Sequence, residues 1–329
     1  MANDHGKYVI AIDLGGTKIL TGIIDPLGNI IHKDRARTPV RIGTEAIIQA
    51  IIRSVRRCLE TAGISISDII GLGLGVPGVS SPETGILYAS PNLPGWKDVP
   101  LCSIIENNLS IKTHLLNDTN AAALGELYYG AAKGASNFIY LNIGTGIGGG
   151  IILGGNLYTG HNGMAGEIGH MVIDDKGSSC NCGNSGCWET FVSGSALNRI
   201  ARQRIQSGIQ TDILSYADGN IDKMDARSIY KAANAGDALA VQLIKDMAYY
   251  LGVGLANLVN IFNPEIIVIG GGLTNFGDKL LNPAYEEAGK RAFKQAYEKV
   301  QFSRAKLGGN SGILGAAAFV TRREAYHDR

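Results

Sequence analysis

A chain of 329 residues, 45% hydrophobic and 18% charged, exceeds what one ordinary compact core needs and has apolar mass enough for two domains of middling size. Its 30 basic and 29 acidic residues leave a net charge of +1, without the basic excess of a protein that coats nucleic acid. The polar start, Met1 to Lys7, runs straight into an apolar strand; neither a signal-peptide core nor a membrane-length apolar run is present, so a cytoplasmic protein with no membrane or nucleic-acid partner is expected.

The pattern predicts strands over Tyr8–Asp13, Ile19–Ile24 and Ile30–Arg37, separated by the glycine turn Asp13-Leu14-Gly15-Gly16-Thr17-Lys18 and by Asp25-Pro26-Leu27-Gly28-Asn29. Apolar residues at helical spacing predict a helix over Thr44–Ala62, stopped by Gly63. A buried strand over Ile69–Val76 leads into a loop rich in Gly, Pro and Ser. A strand over Ile111–Leu116 then precedes a helix starting near Asn120 and ending at Gly130. The strand–glycine–strand signal returns over Phe138–Gly155, around Gly144-Thr145-Gly146. Ile12-Asp13-Leu14-Gly15-Gly16-Thr17 and Leu141-Asn142-Ile143-Gly144-Thr145-Gly146 share one polar-apolar-glycine order, which suggests an ancient duplication with one glycine turn per domain. The second half is more helical, over Ser195–Ser207, Asp225–Ala235 and Asp237–Phe262. A strand over Ile266–Ile269 ends in Gly270-Gly271-Gly272, and a last helix covers Ile313–Glu324.

Gly144, Gly146 and Gly149, like Gly73, Gly75 and Gly78, match GxGxxG. Neither set is followed by a helix, so the dinucleotide-binding reading fails, and no Walker A sequence is present. A strand–glycine–strand turn can still bind phosphate, because successive exposed backbone N–H groups form an anion nest. Thr17 and Thr145 can add hydroxyls, and Asp13 can hold Mg²⁺ through water. The plainer reading is that these glycines only make tight hairpins; two matching turns and a third glycine run weigh against it. Asp118 follows a buried strand and precedes a helix, where it either caps that helix or stays ionised as a base. Of the five cysteines, Cys180, Cys182 and Cys187 form a tight trio. Cys-x-Cys-x4-Cys points to a metal, with buried thiols or a disulfide as alternatives.

Asp13–Lys18, Asn117–Glu126, Glu167–His170 and Cys180–Glu189 together resemble the ROK family, named for repressors, open reading frames and sugar kinases. The likeness covers Tyr8 to about Phe319. It implies an α/β chain with the actin-like ATPase (ribonuclease H-like) fold, two α/β domains around a central cleft. The smaller domain would be 1–118 plus a C-terminal helix from about 312 to 329; the larger, 119–311, would carry a zinc-binding loop. The resemblance puts ATP at the two hairpins (Asp13, Gly15, Gly16, Thr17, Lys18; Gly144, Thr145, Gly146) and its adenosine near Gly271 and Gly272. It makes Asp118 the base that takes the proton of a sugar 6-hydroxyl as it attacks the γ-phosphate. Carboxylates, amides and imidazole suit sugar hydroxyls, and the family places Asn117, Glu167, His170 and Glu189 in the sugar pocket, with Asn92 as a further member. His170, Cys180, Cys182 and Cys187 would then be a closed structural zinc site that fixes the loop between Glu167 and Glu189, one ring nitrogen of His170 on zinc and its other edge near the sugar.

Within the family a hexose kinase and a sugar-responsive repressor compete. Repressors carry an added helix-turn-helix domain, and the seven residues before Tyr8 are too few for one. An actin-like chaperone or filament ATPase would leave Glu167, His170, the cysteines and Glu189 without a purpose. Leu93-Pro94-Gly95-Trp96 and Asn117–Glu126 are similar to glucokinases of the family, so glucose is the expected acceptor; fructose, mannose, N-acetylglucosamine and N-acetylmannosamine remain alternatives. Trp188 either narrows the pocket or packs. Sugar-driven domain closure, with hinges near Asn117–Asn120 and Gly312, and a homodimer are expected from the family alone.

Overall fold

The computed structural model describes residues 8–90 and 92–327, with side chains described through Arg323. The reading of Met1–Lys7 lies outside these residues. Contacts divide the chain into two units, one of residues 1–136, 150–166 and 305–329, the other of 137–149 and 167–304.

In the first unit β1 (Tyr8–Leu14), β2 (Lys18–Ile24) and β3 (Ile30–Arg37) form an antiparallel meander, followed by α1 (Thr44–Ala62) and β4 (Ile69–Val76). Gly63 ends α1 in the left-handed conformation, as its sequence position predicts. Beyond β4 the expected irregular loop holds three short strands, β5 (Val79–Ser81), β6 (Ile86–Ala89) and β7 (Lys97–Val99), and the helix α2 (Leu101–Leu109). Runs this short carry too few periods to announce themselves. Then come β8 (Thr113–Asn117) and α3 (Asp118–Tyr129). The main sheet runs β3-β2-β1-β4-β8, with β4 parallel to both β1 and β8.

β4 explains the packing on both faces. Leu72, Leu74 and Val76 point into the core with α1 and α2. Gly71 and Gly73 alternate with them, and a methyl group on Gly73 would overlap the backbone of Ala316. The glycine face lets the last helix of the chain lie directly on the strand.

The second unit's sheet begins with β9 (Phe138–Ile143) and β10 (Ile147–Leu153), and β11 (Asn156–Leu157) pairs with β10. Residues of β10 beyond Gly149, and the whole of β11, count with the first unit. There follow α4 (Gly194–Gln206), α5 (Ala226–Asn234), α6 (Ala238–Phe262), β12 (Ile266–Gly270), α7 (Asp278–Arg291), the short α8 (Lys294–Tyr297) and β13 (Gln301–Arg304). Pro283 inside α7 interrupts its helical pattern and concealed the helix from the sequence reading. The strand order is β11-β10-β9-β12-β13, the same scheme as the first sheet, as the duplicated turns imply. Trp188, Val192, Leu251, Leu255, Ile267 and Ile269 belong to its core. The chain ends in α9 (Ser311–His327), which packs on α3, β1 and β4. This packing assigns α3 and residues through Ser136 to the first unit, where the sequence drew its boundaries at 118 and 312. No helix among the described residues is long and apolar enough to cross a membrane.

Candidate functional site

Within the first unit the expected residues gather at the carboxyl ends of the parallel strands, where open α/β sheets bind ligands. Asp13 pairs with Gly75, and Gly75 with Leu116, so Asp13 and the β8–α3 junction share one edge two strands apart. The first turn is closed by Gly15 N–H donating to Lys18 O at 2.8 Å and braced by Thr38 Oγ1 donating to Gly15 O at 2.7 Å. Among the described residues the N–H groups of Gly16 and Thr17 meet no acceptor, and Thr17 is exposed at the tip. That is the donor set an anion nest requires. Asn92 backs onto this turn: its backbone oxygen lies 3.1 Å from where a Cβ on Gly16 would stand.

Lys18 Nζ lies 3.6 Å from Asp13 Oδ2. Burial pushes the Asp13 carboxyl above its usual range, and the Lys18 ammonium pulls the other way without cancelling it. Gly312, at the start of α9, abuts the same carboxyl, 3.0 Å from its Cγ to the position of a Cβ.

At the β8–α3 junction Asn117, not Asp118, is the cap. Its Oδ1 accepts from Thr119 N–H at 2.8 Å and Asn120 N–H at 3.2 Å, and its Nδ2 donates to Gly78 O at 3.3 Å. The helix therefore starts at Asp118, two residues before the expected Asn120, because the cap lies at 117. Asp118 Oδ1 accepts from Thr119 N–H at 2.8 Å, in the first turn, where the helix dipole favours a negative charge.

The second unit repeats the scheme. β12 pairs with β9 in parallel, Gly270 opposite Asn142, so the Gly144-Thr145-Gly146 turn and Gly271-Gly272 leave the same edge. Both glycine motifs continue into strands, which excludes the dinucleotide-binding reading. The first amides of α4 hold the turn from behind, Gly194 N–H donating to Gly144 O at 2.8 Å and Ser195 N–H to Thr145 O at 3.3 Å. Gly271, at φ 91°, lies against the end of β9, where a Cβ would overlap the Ile143 carbonyl oxygen, and nothing stands within 4 Å of a Cβ on Gly272. Glu189 Oε2 accepts from Ile147 N–H at 2.7 Å.

Glu189 is carried by a single 3-10 turn, Trp188–Thr190, that is firmly anchored. Trp188 is fully buried, and its Nε1–H donates to Tyr250 O at 2.9 Å. Trp188 therefore packs and does not line a pocket. Arg199 donates to Thr190 O at 2.9 Å.

His170 follows Glu167 on another 3-10 turn, Ile168–His170. Its Nε2 lies 3.9 Å from Glu167 Oε2, while its Nδ1 lies 3.6 Å from Cys180 Sγ. Cys182 Sγ and Cys187 Sγ are 3.6 Å apart, and the four donor atoms of His170, Cys180, Cys182 and Cys187 all lie within 4.8 Å of one another. Four ligands around zinc at about 2.3 Å from each sulfur would stand roughly 3.8 Å apart, so the cluster fits a tetrahedral Cys3His ion. Burial, then the neighbouring thiols, push Cys187 up to about 12, while the Asn184 backbone lowers Cys182. A metal must displace those protons to bind.

Two elements of the site were passed over in the sequence. Gly169, inside Glu167–His170, packs against Ile147, 2.5 Å from its carbonyl oxygen to the position of a Cβ. Glu126, the last residue of a quoted motif, is fully buried; it accepts from Ala131 N–H at 2.8 Å, Lys306 N–H at 3.1 Å, Leu307 N–H at 3.0 Å and Ser311 Oγ–H at 3.2 Å. An acidic residue in an otherwise apolar helix face was the available signal.

The ROK family model matches residues 9–323. A glucokinase of Halalkalibacterium halodurans is 38% identical over 97% of this chain and 96% of its own length. A xylose repressor of Caldicellulosiruptor bescii is 33% identical over 95% of this chain and 77% of its own. Among solved structures, a ROK family glucokinase from Streptomyces griseus in complex with glucose and AMPPNP is 34% identical, with a TM-score of 0.82 over 95% of this chain and 98% of that one. These likenesses carry the actin-like ATPase fold as well as the motifs, over nearly the whole length. With paired glycine turns, an acidic residue at the end of β1 and the Cys3His cluster all in place, the chain belongs to the ROK family.

Proposed function

We propose that this ROK protein, an ATP-dependent hexose kinase, phosphorylates glucose on its 6-hydroxyl, with Asp118 as the general base. The observation that carries the reading is the β8–α3 junction: Asn117 takes the cap, and Asp118 stands in the first turn at the sheet edge it shares with Asp13. Asp118 accepts the 6-hydroxyl proton as that oxygen bonds to the γ-phosphorus and the bond to ADP breaks. Asp13 holds Mg²⁺, the N–H groups of Gly16, Thr17, Thr145 and Gly146 hold phosphate oxygens, and Gly271 and Gly272 leave room for adenosine. Asn92, Asn117, Glu167, His170 and Glu189 grip the remaining sugar hydroxyls. Zinc on His170, Cys180, Cys182 and Cys187 fixes the loop that carries Glu167 and Glu189. The likeness to a glucokinase of H. halodurans supports glucose over other hexoses. The enzyme acts in the cytoplasm, as a homodimer.

ADP release with ATP and Mg²⁺ against a panel of hexoses tests the reading, with Asp118→Asn as control. Turnover on glucose should exceed that on fructose, mannose and the N-acetyl sugars, and Asp118→Asn should lose about 10²–10⁴-fold in kcat. The similarity to a xylose repressor supports a second reading, a sugar sensor, which sugar binding without turnover would favour.

A further inference from the structure

The residues assigned to the acceptor and those assigned to the donor meet in the second unit at the backbone of one residue, Ile147. Its N–H donates to Glu189 Oε2 at 2.7 Å, and its carbonyl faces Gly169, between Glu167 and His170. Ile147 is the first residue of β10 after the Gly144-Thr145-Gly146 turn. Gly146 has no positive φ to require glycine; what it lacks room for is a side chain, since a methyl there would overlap the Glu189 carboxylate. Among the described residues Glu189 Oε1 has no hydrogen-bond partner, so one oxygen of this carboxylate is tied to the turn and the other is available to a ligand.

We propose that Glu189 is a coupling residue, through which sugar binding orders the second phosphate turn and nucleotide binding orders the sugar's carboxylate. The inference rests on the hexose kinase reading. A hydroxyl on Oε1 fixes the carboxylate, and Oε2 then fixes the Ile147 amide and, through it, the Thr145 and Gly146 amides. The anchoring of the Trp188–Thr190 turn by Tyr250 and Arg199 makes the segment stiff enough to transmit the constraint. Coupling of this kind is reciprocal: each substrate must tighten the other by one factor.

Titration calorimetry of the full chain gives that factor, as the dissociation constant of Mg·AMPPNP without glucose divided by that with saturating glucose. The wild type should give about tenfold. Gly146→Ala, which displaces the carboxylate, and Glu189→Asp, which is too short to reach both partners, should bring it close to 1. A change in general stability would alter each affinity but not their ratio. A tenfold factor that persists in both variants overturns the proposal, as does a wild-type factor of 1 with glucose bound. A wild type that binds no hexose overturns the kinase reading and the coupling with it.

Discussion

Asn117 places its amide oxygen on two backbone N–H groups of α3 and so takes the cap, while Asp118 shares the Thr119 N–H from the first turn. Sequence position alone could not separate these roles, because an amide and a carboxylate at adjacent positions both suit a helix start. Asp13 shows the opposite economy. Its carboxyl is pushed up by burial, so the folded protein holds this proton more tightly than the unfolded chain. Such a group lowers stability as pH rises through the carboxylate range and beyond. Asp13→Asn should therefore raise the melting temperature of the metal-free protein at pH 8, by less at pH 5, while removing Mg²⁺-dependent turnover. Scanning calorimetry at the two pH values checks this; a lower melting temperature at pH 8 would contradict it.

Elements with long periods were legible: α1 and α6 fall within one residue of their expected ends, and the matching glycine turns suggested a duplication, to which the common strand order of the two sheets adds. What escaped was short or interrupted. Strands of three or four residues offer no alternation to count, and Pro283, inside the continuous helix α7, reads as a helix breaker in the sequence. The same limit hid the roles of Gly146 and Gly169, whose neighbours are distant in sequence. Helix caps carry predictions at this scale. Asp237 caps α6 through Ala240 N–H at 2.8 Å and also accepts from Asp212 N–H at 2.7 Å and Thr211 Oγ1–H at 2.8 Å. Burial opposes its ionisation but is outweighed by these hydrogen bonds, first that of Ala240, so its carboxyl sits below the usual range. Its stabilisation is present above the ordinary carboxylate range and is lost as pH falls. Asp237→Ala should cost about 1–2 kcal/mol at neutral pH, and less at pH 3, in urea titrations. For the Cys3His loop, metal analysis should find one zinc per chain, and Cys182→Ser should lose it together with glucose turnover. A metal-free, fully active wild type would refute the structural role.

For the molecule as a whole, α3 and α9 carry the functional residues of the first unit at or beside their starts, Asp118 on one and the abutment to Asp13 on the other. Glu126 binds the end of α3 to Lys306, Leu307 and Ser311, where the chain returns to this unit. Replacing it by Leu would strip the acceptor from the part-buried amides of Ala131, Lys306 and Leu307, so Glu126→Leu should lose about 1–3 kcal/mol in equilibrium unfolding. A loss below 1 kcal/mol would show that water or neighbouring groups take over.

The burial of Trp188 has an experimental use. The chain has two tryptophans, and this one adjoins Glu189, its indole N–H on a backbone carbonyl and its rings against Gly254. Its emission should be blue-shifted and should respond when Glu189 engages a sugar. With Trp96→Phe to silence the other indole, the protein becomes its own optical sensor of acceptor occupancy. Mixing it rapidly with glucose would then time the arrival of the sugar directly.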